Sequence, residues 1–149
     1  MRAVIQRVKE AKVSVDKKVV ASIGKGILVF LAVHKSDIPT RTLWLAQKIL
    51  HLRLFADEKE KMNLSIQQVS GDILVVSQFT LYGSCLEGRR PDFTEAASPS
   101  MARELYEKFT GEMKRSHPKV ETGIFGAEME VHLINDGPVT FILDTPISS

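Results

Sequence analysis

The chain has 149 residues, 44% of them hydrophobic and 26% charged, with 9 glycines and 6 prolines. That suits one folded domain with a sizeable core and excludes disordered, collagen-like and disulfide-scaffold classes. Lysine and arginine number 20 against 18 acidic residues, a formal charge of +2, so no whole-molecule field announces a nucleic-acid partner and any RNA contact must come from local patches.

In chain order, residues 3–8, 13–15 and 19–23 read as a meander of short β-branched strands, with Asp16, Lys17 and Lys18 as a turn. Residues 27–33 lack polar alternation, which suits a strand covered on both faces and central in its sheet. Ser36, Asp37, Ile38 and Pro39 read as the start of a helix with Leu43, Ala46, Ile49 and Leu50 on its apolar face and Arg41, Gln47 and Lys48 facing away. Residues 52–55 alternate as a strand, 57–61 form a charged turn, and 73–76 make a second buried strand ending at Ser77, Gln78, Phe79 and Thr80. The stretch 83–92 is a loop. Ser98 as N-cap and Pro99 at the first helical position open a second helix, with Ala102, Leu105, Tyr106, Phe109 and Met113 on its apolar face, stopping before Pro118. Residues 120–125, 129–134 and 139–143 read as closing strands, the last two joined by a turn across Asn135, Asp136, Gly137 and Pro138. This order predicts an α/β fold: one domain over residues 1–149, of mixed, largely antiparallel β-sheets with two main helices, rather than a regular doubly wound series.

Cys85 is the only cysteine, which excludes an intramolecular disulfide and fits a reducing compartment, with the cytoplasm as expectation. The longest apolar run, 27–33, is far short of the roughly 20 residues of a membrane helix, and the N-terminus runs straight into alternation rather than a signal peptide. We expect neither export nor a membrane partner. The chain holds no nucleophile elbow, phosphate-cradling glycine loop, dinucleotide fingerprint or paired-histidine zinc motif. Its four histidines are scattered without ligand spacing and read as structural or surface residues. Nothing nearby in sequence supplies Cys85 with a base. No metal or other cofactor is expected.

Two polar segments remain: Ser77-Gln78-Phe79-Thr80 after a buried strand, and Asn135-Asp136-Gly137-Pro138-Val139-Thr140 before the last one. Alone, each is also an ordinary polar strand end or Gly-Pro turn. Together with residues 1–8, Gly88-Arg89-Arg90-Pro91 and residues 120–126, in this order across essentially the whole chain, they resemble the D-aminoacyl-tRNA deacylase family. The resemblance implies a cytoplasmic homodimer that hydrolyses the ester between a D-amino acid and the 3′ end of tRNA, with active sites at the dimer interface.

An aminoacyl ester is already activated, so a catalyst mainly has to place a water and stabilise an oxyanion, which backbone N–H groups can do. The resemblance puts Phe79 and Thr80 at that task through their amides, with Ser77 and Gln78 shaping the pocket and the 2′-hydroxyl of the terminal adenosine assisting. The Thr80 hydroxyl is the alternative nucleophile, but no histidine, lysine or acid in its motif would activate it. The resemblance further implies that a cis Gly137–Pro138 peptide is the wall that rejects L side chains, held by Arg7, a residue that also reads as a surface arginine. Such a wall admits glycine, so glycyl-tRNA joins the expected substrates. Phe125 and Met129 match positions lining the pocket for adenosine and substrate, and equally read as core. Arg89 and Arg90 are candidates for tRNA phosphates, although Leu86 and Glu87 stand where the family often has basic residues, and Asp92 where it often has serine. The alternatives are a catalytically idle tRNA-binding module with the same fold and a relative acting on L-alanyl or glycyl esters.

Overall fold

The computed structural model describes residues 1–146; the last three residues of the expected domain lie outside the described residues. In chain order the elements are β1 (Arg2–Val15), β2 (Lys18–Ile23), β3 (Gly26–Ala32), α1 (Thr40–His51), β4 (Arg53–Ala56), β5 (Met62–Ser65), β6 (Asp72–Ser77), a 3-10 turn (Phe79–Tyr82), α2 (Pro99–Ser116), β7 (Val120–Thr122) and β8 (Glu130–Asp144).

The chain begins with a hairpin. Asp16 and Lys17 both have positive φ, 49° and 66°, which is what a two-residue turn matched to the right-handed twist of its strands demands. β1 is one unbroken strand where the sequence suggests two. Lys9, Glu10 and Lys12 are exposed while Val8, Ala11 and Val13 are buried, so the polar residues interrupt the hydrophobic pattern without interrupting the ladder. β2 and β3 follow one another along the same edge of β1 with no change of register between Ala11↔Ile23 and Val8↔Gly26. β8 takes the other edge, antiparallel.

β3 then pairs in parallel with β6, and β6 with β7, giving the order β2-β1-β3-β6-β7 with β8 beside β1. β3 is central, as its continuous apolar run predicts. Its alternate residues feed two cores. Ile27, Val29 and Leu31, with Ile5, Ile73 and Val75, pack under Leu45, Ile49 and Leu50 of α1 and Leu105, Phe109 and Met113 of α2. On the opposite face Leu28, Leu74 and Val76 meet Val8, Val13, Ala21 and Ile23, with Met129, Val131 and Leu133 against them. The sheet therefore curls over its second core, bringing β2 near β6 and β7.

Ser98 accepts a hydrogen bond from the Met101 N–H at 3.4 Å, and Pro99 opens α2, as expected. In α1 the buried stripe is Thr42, Leu45, Ala46, Ile49 and Leu50, while Leu43 is 50% exposed. The stripe thus starts one residue earlier than the sequence reading, at the i, i+3, i+4, i+7, i+8 positions counted from Thr42. β5 was not expected. Its residues are weakly apolar, and its pairing with β4 is set up by Asp57, whose Oδ1 accepts from the N–H groups of Lys59 and Lys61.

Two closing strands need correction. β7 stops at Thr122, so Phe125 lies in a turn rather than a strand. The expected turn at 135–138 lies inside β8, because both halves of that strand pair with the same β1. Val8 lies opposite Asn135 and Gln6 opposite Thr140, so the Gly-Pro segment bulges out of a continuous pairing. Proline lacks the N–H the ladder needs, which makes a bulge the natural place for it.

The chain ends are tied together. The Met1 ammonium, fully buried, donates to Asp37 Oδ1 and to Thr145 Oγ1, each at 2.7 Å. Asp37 also receives Arg41 Nη1 at 2.8 Å and the His34 N–H at 2.6 Å. Burial alone pushes this carboxyl up, but the ammonium, the guanidinium and the backbone donor outweigh it and hold it below the usual carboxylate range.

Candidate active site

β6 pairs with β3 up to Ser77↔Leu31, and the Gln78 N–H still donates to the Leu31 carbonyl at 2.8 Å. There the strand ends and the chain turns. Leu81 N–H returns to the Gln78 carbonyl at 3.2 Å and Gly83 N–H to the Thr80 carbonyl at 2.9 Å. A 3-10 turn leaves its first N–H groups without an intrahelical acceptor. Among the described residues, no acceptor is found for the N–H groups of Phe79 and Thr80.

Beside this strand end lies a cavity of about 540 Å³, lined by Ser77, Gln78 and Phe79, by the end of β3, by Pro99, Ala102 and Tyr106 of α2, and by Phe125, Gly126 and Met129. Two glycines shape the far wall. A Cβ on Gly123 would meet the Met129 sulfur at 2.7 Å, and Gly126 turns the chain with φ of +79°, which a side-chain-bearing residue rarely adopts. Phe125 thereby reaches the Tyr106 ring, centroids 5.5 Å apart. Phe79, 55% exposed, meets Phe93 edge-on at 5.3 Å.

Among the described residues lining the cavity, Tyr106 has the only titratable side chain. Its hydroxyl donates to the Val75 carbonyl at 3.4 Å, and burial pushes its pKa up to about 12, so it stays neutral at physiological pH. The Thr80 hydroxyl accepts from Gln78 Nε2 at 2.5 Å. Thr80 is exposed and follows the lining residue Phe79 in the chain, and among the described residues no basic group bonds to its hydroxyl.

The expected site residues fall into three groups. Ser77, Gln78, Phe79, Phe125 and Met129 surround the cavity, with Thr80 adjoining it in the same turn. Arg7, Gly137 and Pro138 are elsewhere. Arg7 donates to the carbonyls of Asp136 at 3.2 Å and Leu54 at 2.8 Å, and its Nε lies 3.3 Å from the Asp136 carboxylate. The Asn135 side chain donates to the Arg7 carbonyl at 3.0 Å. The Gly137–Pro138 peptide is cis, and both residues are exposed and absent from the cavity wall. Within the chain they are distant, because the Arg7 level of β1 is four residues from the Ala3 level that faces Leu31, roughly 13 Å along the strand. Arg89 and Arg90 stand exposed on the loop near Gly88, which has φ of +66°.

Sequence reasoning missed Tyr106 as a cavity residue, reading it only as part of the apolar face of its helix. Ala102 and Tyr106, four apart, do face the core, but that core opens here into the cavity. The histidines all lie outside it. His117 is buried and donates from Nε2 to the Gly71 carbonyl at 2.7 Å, while His51 lies 2.7 Å from the Gln47 carbonyl. His34 Nδ1 accepts the Ser36 N–H at 3.1 Å and faces the Ser36 hydroxyl at 2.7 Å, and Nε2 meets Glu95 at 2.8 Å. That row ties two loops, where the Lys35 N–H also donates to the Glu95 carbonyl. A second cavity of about 570 Å³ runs along it, but its cations are held in ion pairs, Arg2 with Asp144 and Arg41 with Asp37. Among the described residues, no three His, Cys, Asp or Glu side chains converge on a possible metal position, and no helix is long and apolar enough to cross a membrane.

The family model described as D-Tyr-tRNA(Tyr) deacylase matches residues 4–144. A protein named D-aminoacyl-tRNA deacylase from Thermotoga petrophila is 55% identical over 145 residues, covering 97% of each chain. One of the same name from Geobacter sp. (strain M21) is 56% identical over 146 residues, covering 98% of each. A solved structure named c-Myc DNA Unwinding Element Binding Protein superposes with a TM-score of 0.93 at 39% identity, over 98% of this chain and 99% of that one. Another, described as a probable eukaryotic D-amino acid tRNA deacylase, superposes with a TM-score of 0.83 over 95% of this chain and 97% of that one; at 18% identity it shows a shared fold. With its family match spanning nearly every residue and relatives more than half identical end to end, the chain belongs to the D-Tyr-tRNA(Tyr) deacylase family.

Proposed function

We propose that this protein is a hydrolase that cleaves the ester of D-aminoacyl-tRNA, releasing the D-amino acid and free tRNA. The observation that carries this reading is the end of β6. Two backbone N–H groups without acceptors, those of Phe79 and Thr80, stand beside a cavity whose lining offers no acid or base except a neutral tyrosine. Such a site suits an activated ester, whose cleavage needs an oxyanion held more than a proton moved. The carbonyl oxygen binds the two N–H groups, which strengthen their hold as negative charge develops on it in the tetrahedral intermediate. The attacking water is oriented by the 2′-hydroxyl of the terminal adenosine, because no lining side chain can take its proton. The bond between the carbonyl carbon and the 3′-oxygen then breaks; one proton of the water passes by way of the 2′-hydroxyl to that oxygen, giving the tRNA 3′-hydroxyl, and the other goes to solvent, leaving a carboxylate. Ser77 and Gln78 brace the turn, and Phe125 and Met129 hold the adenosine. A volume of about 540 Å³ is ample for a nucleoside carrying a small ester. No metal or other cofactor enters the scheme.

Chiral selection belongs to Gly137–Pro138 in this reading. Its backbone faces the α-carbon of the substrate, so an L side chain clashes, a D side chain points away, and glycine passes, which makes glycyl-tRNA a substrate. Arg7 keeps the segment in place through the Asp136 carbonyl. Because the segment does not line the cavity of its own chain, a second copy supplies the wall in this reading, and the protein works as a homodimer with its active sites at the interface. Arg89 and Arg90 meet tRNA phosphates. The protein works as one domain over residues 1–149, in the cytoplasm, where it removes D-residues before translation uses them.

The test is hydrolysis of matched D-tyrosyl-, L-tyrosyl- and glycyl-tRNA by the purified protein. Release from the D and glycyl esters with the L ester spared supports the reading; a folded protein that binds tRNA and releases nothing is instead an idle tRNA-binding module.

A further inference from the structure

The cavity is almost without charge, yet one cation leans over its rim. Arg103 stands on the first turns of α2, next to the lining residue Ala102, with its guanidinium carbon 4.8 Å from the centre of the Phe125 ring. One guanidinium nitrogen lies 3.9 Å from where a Cβ on Gly126 would stand. The guanidinium thus rests on the 125–126 turn that walls the cavity. Its acidic neighbour, Glu107, is 3.9 Å away, at the outer limit of an ion pair, and both side chains are more than half exposed. An exposed pair at that separation holds the cation weakly, so most of its hydrogen-bonding fork remains open to a ligand. The N-terminal end of α2, with its partial positive charge, faces the same rim.

If a nucleoside ester occupies the cavity, its 5′-phosphate is the first charge outside. A planar guanidinium stacked on an aromatic ring and offering paired donors is well suited to a phosphodiester. We infer that Arg103 binds the phosphate of the substrate's terminal nucleotide, with the Phe125 ring serving as the platform that holds the guanidinium at the rim. This rests on the deacylase reading of the same cavity. It makes Arg103 a binding residue for the end of the tRNA, separate from Arg89 and Arg90 on their own loop.

The experiment compares adenosine with the methyl ester of adenosine 5′-monophosphate, which carries the single charge of a tRNA phosphodiester, as ligands of the wild type, Arg103→Gln and Arg103→Lys. Melting temperature checks the fold of each variant, and turnover of D-tyrosyl-tRNA is measured in parallel. The wild type should bind the phosphate ester about tenfold more tightly than adenosine, the size of one charge-assisted bond. Arg103→Gln should abolish that preference with adenosine affinity unchanged, raise KM for the tRNA with kcat preserved, and flatten the salt dependence of kcat/KM by about 0.7 in logarithmic slope. Arg103→Lys should keep part of the preference. Equal weakening of both ligands would show that Arg103 only braces Phe125, and survival of the preference in Arg103→Gln would remove it from the site; either overturns the inference. Failure of the wild type to bind either ligand also overturns it, and only if hydrolysis is absent too does the deacylase reading fall with it.

Discussion

Replacing Thr80 by alanine separates catalysis by backbone and substrate from catalysis by a side-chain nucleophile. The Thr80 hydroxyl is exposed and has one hydrogen-bond partner among the described residues, Gln78 Nε2 at 2.5 Å. Its removal deletes one neutral hydrogen bond of about 0.5–1.5 kcal/mol and leaves the Thr80 N–H in the chain. If that bond braces the turn only in the transition state, the rate falls by a factor of about 2 to 13. A nucleophile behaves differently, since its deletion costs on the order of 10⁶ in kcat. The assay is single-turnover release of D-tyrosine from tRNA, with enzyme in excess so that product release does not mask the chemical step. A loss beyond about a thousandfold would refute the backbone account and make Thr80 the attacking group.

Arg7→Ala should raise hydrolysis of L-tyrosyl-tRNA relative to the D ester more than it slows the D ester, because Arg7 holds the Asp136 carbonyl next to Gly137 and its bonded partners Asp136, Leu54 and Asn135 are not lining residues of the cavity; an unchanged ratio of the two kcat/KM values excludes Arg7 from chiral selection. Replacing Arg89 and Arg90 together by alanine should raise KM for tRNA and lower the salt slope of binding by about 1.4 without changing kcat, whereas a fall in kcat alone would place the loop in the chemistry. Asp37→Asn should destabilise the fold by about 3 kcal/mol in urea titration, since a buried ammonium loses its counter-charge. Because the folded-state pKa of Asp37 is depressed, its contribution is fully present above the unfolded carboxyl value near 3.9 and fades as pH falls through the lower folded value. Wild-type stability should therefore drop more steeply than that of Asp37→Asn below about pH 4, and parallel curves would contradict the ion-pair assignment.

The elements were legible wherever local physics decides. Ser98 and Pro99 start α2 because a cap and a fixed φ act at that very position, and β3 reads as central because both its faces are apolar. What escaped depended on partners far along the chain. The bulge at 135–138 looks like a hairpin turn until β1 is seen to pair with both sides of it. Tyr106 looks like core until the cavity opens beside it. Of the motif residues, Ser77, Gln78 and Phe79 line one cavity with Phe125 and Met129, residues some fifty positions apart whose meeting depends on the fold. Local pattern could not reveal that Gly137 and Pro138 stand apart from that cavity, because their distance is set by the register of β8 on β1.

In the proposed mechanism the Phe79 and Thr80 amides and the substrate's own hydroxyl perform the hydrolysis. The most direct test is single-turnover hydrolysis of D-tyrosyl-tRNA ending in adenosine against the same tRNA ending in 2′-deoxyadenosine, with binding of both measured alongside. Equal binding and a hundredfold or greater loss of rate on the deoxy ester are expected, within the range of about 10²–10⁴ that positioned acid–base assistance contributes. Equal rates on the two esters would contradict that mechanism and require a protein side chain to activate the water.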